Sequence, residues 1–183
     1  MNQSRSKSFS LDRITKVGIL SALSYGLMFI QMPIPIAPPF MKLDLADVPS
    51  LIGGFALGPW AGVMIQLIKN LLNLSKTMTG GIGELSNFIV GSTFVLVSSL
   101  IYRNNKTKKN SILALSLGVI AMSAVATLSN AFVVFPIYGK AMNTDLSVFA
   151  AQAGQNGLVS NYFTLMIFSI APFNIIKGLS LIH

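Results

Sequence analysis

Charge in this 183-residue chain is confined to the flanks of long uncharged stretches, and that arrangement restricts the possible folds more than any motif does. Residues 17–41 and 48–68 contain no Asp, Glu, Lys or Arg. A hydrocarbon layer of ~30 Å is crossed by ~20 apolar residues in helical conformation. Inside lipid, a helix also satisfies every backbone N–H and C=O within its own segment. The chain is 52% hydrophobic and 10% charged, where a soluble domain carries about 25% charged residues. Its mean hydropathy is +0.69. An ordinary soluble domain and a disordered chain are both excluded. The fold expected is an all-α membrane protein, a six-transmembrane-helix bundle forming one domain over residues 1–183.

Proline and glycine divide the stretches. A first helix is expected over 12–32, with Asp12 at its start and a Pro-rich loop, 33–39, at its end. The basic residues before it, Arg5, Lys7, Arg13 and Lys16, resemble the start of a signal peptide, but no convincing small-residue cleavage site follows. Gly58-Pro59 splits the next run into a short helix, 45–57, and a third, 59–77. The glycines at 80, 81 and 83 break the chain again. They lack the GK[ST] ending and the preceding strand of a phosphate loop. A fourth helix is expected over 84–102, a basic loop over 103–109, a fifth helix over 110–136 and a polar connection over 138–157. The region 158–183 admits two readings. Either one kinked helix runs through Pro172, or Pro172 opens the last helix. In the second case only ~18 Å of helix remains, and the last helix is cut short at the C-terminus.

Lys and Arg set the orientation. Arg5, Lys7, Arg13 and Lys16 precede the first helix, and Arg103, Lys106, Lys108 and Lys109 lie in the loop between the fourth and fifth. With six spans both clusters fall on one side, so the N-terminus is expected to be cytoplasmic. The net charge of +8 is thereby read as membrane topology in a multi-pass protein of the lipid bilayer, with no nucleic-acid partner. The chain has no Cys, and its one His is His183. Disulfides, thiolate nucleophiles and His-based catalysis or metal binding are therefore not expected, nor is an enzyme of any class or a metal site.

Polar residues inside the spans carry the functional signal, because a charge in lipid costs ~3 kcal/mol even on the mildest scale. Glu84 and Asn87 share a face of helix four with Gly91. Thr127 and Asn130 lie toward the outer end of helix five, and Asn174 and Lys177 follow Pro172. On this topology three helices bring amides and charges to the outer half, as a substrate-binding site open to the outside would. Met41 and Phe40 at the end of the Pro-rich loop, with Lys42, border that site. All three arginines are cytoplasmic, so the site suits an uncharged, flat, partly polar ligand rather than a phosphorylated one. Gln66, Lys69, Asn70 and Asn73 form a stripe on helix three, read as packing or pairing, with Lys69 snorkelling or meeting Glu84 or an Asp. Gly18, Ala22 and Gly26 recur every four residues on helix one. Such a small-residue ridge admits a close helix neighbour, either within the bundle or from a partner protein.

The stretch 47–62, DVPSLIGGFALGPWAG, with Ile68-Lys69-Asn70-Leu71-Leu72, resembles the second and third helices of the substrate-binding S components of energy-coupling factor (ECF) vitamin transporters. The Gly18/Ala22/Gly26 ridge is similar to the surface with which S components meet the shared transmembrane coupling protein. The segment 171–178, APFNIIKG, looks like the last helix of the riboflavin-specific members. The resemblance implies a bacterial cell-membrane protein without catalytic chemistry or cofactor. Riboflavin would be its transported ligand, taken from outside beneath a lid formed by the Pro-rich loop. Delivery would require the coupling protein and two cytoplasmic ATPases. Two other readings stay open on the residues alone: an S component for a different vitamin, and an ion-coupled secondary transporter of a small neutral solute.

Overall fold

Helix α1 (Leu11–Leu27) opens the fold in the computed structural model, which describes residues 11–34, 37, 41–77, 79–143, 145–153 and 159–182. It stops short of the expected residue 32. The chain turns instead into a strand, β1 (Gln31–Pro33), paired antiparallel with β2 (Lys42–Asp44), Gln31 facing Asp44 and Pro33 facing Lys42. Proline explains the early stop. Pro33 disfavours helical geometry at Met32, and Pro35 does so at Ile34, which drives this stretch into extended conformation. The ribbon then gives the extended backbone its hydrogen-bond partners.

Helices α2 (Asp47–Leu57) and α3 (Pro59–Asn73) meet at Gly58, whose φ of +105° suits glycine, and Pro59 occupies the first position of α3. The Arg13 guanidinium on α1 donates to the carbonyl of Leu57, one of the groups left open at the end of α2. A 3₁₀ turn (Leu74–Lys76) prolongs α3. Helix α4 (Ile82–Asn104) packs on both α2 and α3. A methyl group on Gly62 of α3 would lie 2.3 Å from Val95 Cγ1, 2.9 Å from the Ser50 carbonyl and 3.0 Å from Gly54 Cα. Two of those neighbours are backbone and cannot rotate away. Gly62→Ala is therefore expected to lower stability by about 1–3 kcal/mol, read as a fall in the thermal unfolding midpoint in detergent. An unchanged midpoint would mean that the three helices separate without cost.

Thr107 caps α5 (Lys108–Ser129), its hydroxyl accepting from the Asn110 N–H at 3.3 Å. The expected end near 136 is overrun. A π turn (Asn130–Val134) carries the chain into α6 (Phe135–Met142), giving a helical run of 34 residues, Lys108–Ala141. After it, α7 (Leu146–Ala153) occupies much of what the sequence suggests is a polar connection. The reason is apolar: Phe149 and Ala150 are buried against Phe135 and Tyr138. The last helix is continuous, formed by α8 (Tyr162–Leu165), a second π turn (Met166–Ile170) and α9 (Ala171–Ser180). Of the two readings of this region, the single helix through Pro172 is the one observed.

Both π turns have the same cause. A proline lacks the N–H for the bond to the fourth residue back and crowds that residue's carbonyl. For Pro136 that residue is Phe132, and for Pro172 it is Phe168; each lies inside its π turn. The wider turn relieves the crowding without ending the helix.

Among the described residues, three helices are long and apolar enough to cross a membrane: Ile82–Asn104, Lys108–Ala141 and Tyr162–Ser180. Helix α2, at 11 residues, is short as expected. Buried apolar side chains form clusters about Phe94 and Met122, about Phe135 and Leu165, and about Ala61 and Ile65. The outward faces carry large apolar side chains such as Ile120 and Phe132, as contact with lipid allows.

Candidate functional site

Polar side chains from five elements meet inside this apolar bundle. On α3, Gln66, Lys69 and Asn70 lie within little more than one turn and so share a face. All three are buried. Asp47, in the first turn of α2, faces them with one carboxylate oxygen. That oxygen, Oδ1, accepts from Gln66 Nε2 at 2.7 Å and from Lys69 Nζ. Lys69 and Asp47 are both fully buried. The other oxygen, Oδ2, lies 3.3 Å from Lys177 Nζ of α9. Lys177 also lies 3.5 Å from Asp44 Oδ2, at the end of β2, and donates to Asn87 Oδ1 on α4 at 3.1 Å. Asn87 Nδ2 donates in turn to Asn70 Oδ1 at 3.1 Å, and Asn70 Nδ2 to the Gln66 carbonyl at 2.8 Å. Gln66 is pressed against Gly91, where a Cβ would stand 2.7 Å from its Oε1. The result is a continuous polar chain in which two lysines are matched by two aspartates, the condition under which charges persist in a low-dielectric interior.

Asn87 and Lys177, proposed from the sequence for one site, are thus in direct contact. Glu84 stands apart from them. Its Oε1 accepts from Asn73 Nδ2 at 2.9 Å, and its Oε2 from the hydroxyls of Thr77 at 2.9 Å and Thr79 at 3.2 Å. Those hydroxyls also accept from the N–H groups of Gly81 and Gly83, so Glu84 holds together the turn that starts α4. Asn130 and Asn174 are both 3% exposed, and each donates to the carbonyl four residues back, Ala126 at 2.7 Å and Ile170 at 2.8 Å. Asn130 opens the first π turn and Asn174 lies in α9 just after the second, and each amide is directed along its own helix. Met41 packs on the Phe135–Phe149 cluster, and Lys42 is exposed on β2. Phe40 lies outside the described residues.

Asp44 and Asp47 are the partners that sequence reading missed. The sequence places both on the outer side with Lys42, Asp47 within the expected helix 45–57, and allows Lys69 an aspartate partner without naming it. The available signal was Asp47 in the first turn of a helix that also holds Pro49 and Gly53-Gly54, a helix short enough to be enclosed by its neighbours. Of the readings open for the α3 stripe, packing or pairing with Lys69 snorkelling or meeting Glu84 or an Asp, the structure has Lys69 paired with Asp47. On α1, the ridge of Gly18, Ala22 and Gly26 is exposed, and the buried face is Val17, Ser21 and Ser24. A Cβ at Gly18 or Gly26 would meet no atom within 4 Å. Among the described residues, the ridge is not used in packing within the bundle.

The family model for "ECF transporter, substrate-specific component" matches residues 12–182. The chain belongs to that family. The resemblance seen in residues 47–72 and 171–178 is thereby borne out along almost the whole S component. Riboflavin transporter RibU of Staphylococcus aureus is 37% identical over 167 residues, 91% of this chain and 82% of that protein. Riboflavin transporter FmnP of Bacillus subtilis is 29% identical over 92% of this chain and 85% of its own length. A solved structure of the S component of a bacterial ECF transporter superposes with a TM-score of 0.75 at 35% identity, covering 93% of this chain and 88% of that one. This S component is a multi-pass protein of the bacterial cell membrane, and its relatives are transporters rather than enzymes.

Proposed function

We propose that this S component binds riboflavin at the outer side of the membrane and hands it to a coupling protein driven by two cytoplasmic ATPases. The supporting observation is the buried chain Lys177–Asn87–Asn70 within an apolar bundle whose sequence aligns over nine-tenths of its length with a riboflavin transporter. A flavin has a pyrimidine edge of alternating donors and acceptors, an apolar dimethylbenzene edge and a hydroxylated ribityl chain. Amides and an ammonium group match the polar parts. Apolar and aromatic walls, including Met41, match the ring.

In this reading six helical segments cross or enter the membrane with the N-terminus in the cytoplasm. Asn130, Asn174 and Lys177 contact the ligand along with Asn87, while Lys42 and the Pro-rich loop border the entrance. Glu84 shapes the wall through Asn73 and the turn before α4. Gly18, Ala22 and Gly26 receive a helix of the coupling protein.

Titration of the purified protein with riboflavin, followed by flavin emission and by quenching of Trp60, tests the reading. Lys177→Ala or Asn130→Ala is expected to weaken binding by about 1–3 kcal/mol, roughly ten- to hundredfold. Lys106→Ala, in the basic loop before α5, is expected to leave it unaltered. Loss of affinity in the Lys106 variant equal to that in the other two would place the site at the wrong end of the bundle.

A further inference from the structure

We propose that Asp44 is a specificity-determining residue: it cancels the charge on Lys177 and so makes the site favour an uncharged ligand over a phosphorylated analogue. The inference rests on the functional reading above. Two ammonium groups, Lys69 and Lys177, are buried in one polar chain. Asp47 serves both, through Oδ1 to Lys69 and through Oδ2 to Lys177. A single carboxylate balances one of the two charges, and Asp44, 3.5 Å from Lys177 Nζ, balances the other.

The ammonium group of Lys177 has three N–H bonds, and three groups surround it: Asp44, Asp47 and Asn87. A neutral carbonyl or hydroxyl can replace the long contact to Asp44 while the cluster stays balanced. A phosphate meets a lysine that is already neutralised and two carboxylates close behind it. In a low-dielectric interior that repulsion is strong, because water does not screen it. Without the Asp44 charge, Lys69 and Lys177 would face Asp47 alone, and the residual positive charge would attract the phosphate.

Asp44 also permits a clean test. Its other oxygen accepts from the Ala46 N–H at 2.9 Å, a role that an asparagine carbonyl can fill. Asp47 could not be used, since it also holds Gln66 and Lys69.

The experiment is paired titration of the purified full chain with riboflavin and with riboflavin 5′-phosphate, for the wild type, Asp44→Asn and Asp44→Glu. The wild type and Asp44→Glu are expected to prefer riboflavin. In Asp44→Asn the ratio of the two dissociation constants is expected to move about tenfold or more toward the phosphate ester. If Asp44→Asn does not fold, Asp44→Ser removes the same charge and is read in the same way. A ratio unchanged within about twofold overturns the inference, as does equal weakening of both ligands, which would give Asp44 a structural role only. If the wild type binds neither flavin, the functional reading itself fails, and the specificity role falls with it.

Discussion

Asp47→Ala is expected to destabilise the protein by about 3–5 kcal/mol, the cost of leaving a buried charge without its partner. Both lysines of the polar chain meet this carboxylate. Lys69 is fully buried and Lys177 is 5% exposed. Gln66 loses the acceptor of its amide group as well. The measurement is the thermal unfolding midpoint in detergent, compared with that of Asp12→Ala. Asp12 also pairs with a lysine, Lys16 at 2.8 Å, but the two side chains are 71% and 54% exposed. An exposed pair one helical turn apart contributes only ~0.3–0.5 kcal/mol. Equal shifts in the two variants would show that the interior pair is solvated in the membrane protein and does not organise the core.

Ala22→Trp is expected to abolish co-purification with the coupling protein and uptake of riboflavin into cells, while leaving riboflavin affinity within about threefold. Association of helices in lipid depends on close backbone approach, since no hydrophobic difference drives them together. A tryptophan at the centre of the Gly18/Ala22/Gly26 ridge would hold the partner helix away. The ridge is exposed and the Cβ positions of its glycines meet nothing within 4 Å, so the bulk projects outward and not into the bundle. Loss of binding in a folded Ala22→Trp protein would show that this face communicates with the ligand site, and the docking role would then be dropped.

Much of this architecture is legible in the one-dimensional pattern. Charge-free stretches, Gly58-Pro59 and the glycines near 80 locate α2, α3 and α4 closely, because lipid imposes a length and breakers impose the ends. The outward ridge on α1 is visible as a four-residue spacing. Asn87 and Lys177 can be matched by depth alone, since helices that cross one layer share one coordinate.

Lateral position is a different matter. A sequence gives the height of a residue along its helix but not which helix stands beside it. The pairing of Lys69 with Asp47, and of Lys177 with Asp44, follows from the way α2, α3 and α9 are arranged around one another. Glu84 and Asn87 look equivalent by spacing, yet Glu84 is claimed by the threonines of its own turn and Asn87 by Lys177. The early end of α1 and the helical form of 146–153 likewise follow from partners distant in the chain, a second strand in one case and the Phe135 cluster in the other. At Pro136 the sequence suggests a helix end and at Pro172 either a kink or a new start, and both helices continue. Packing on both sides of each proline keeps the chain helical, and a π turn absorbs the crowding at lower cost than exposing an unpaired backbone to lipid.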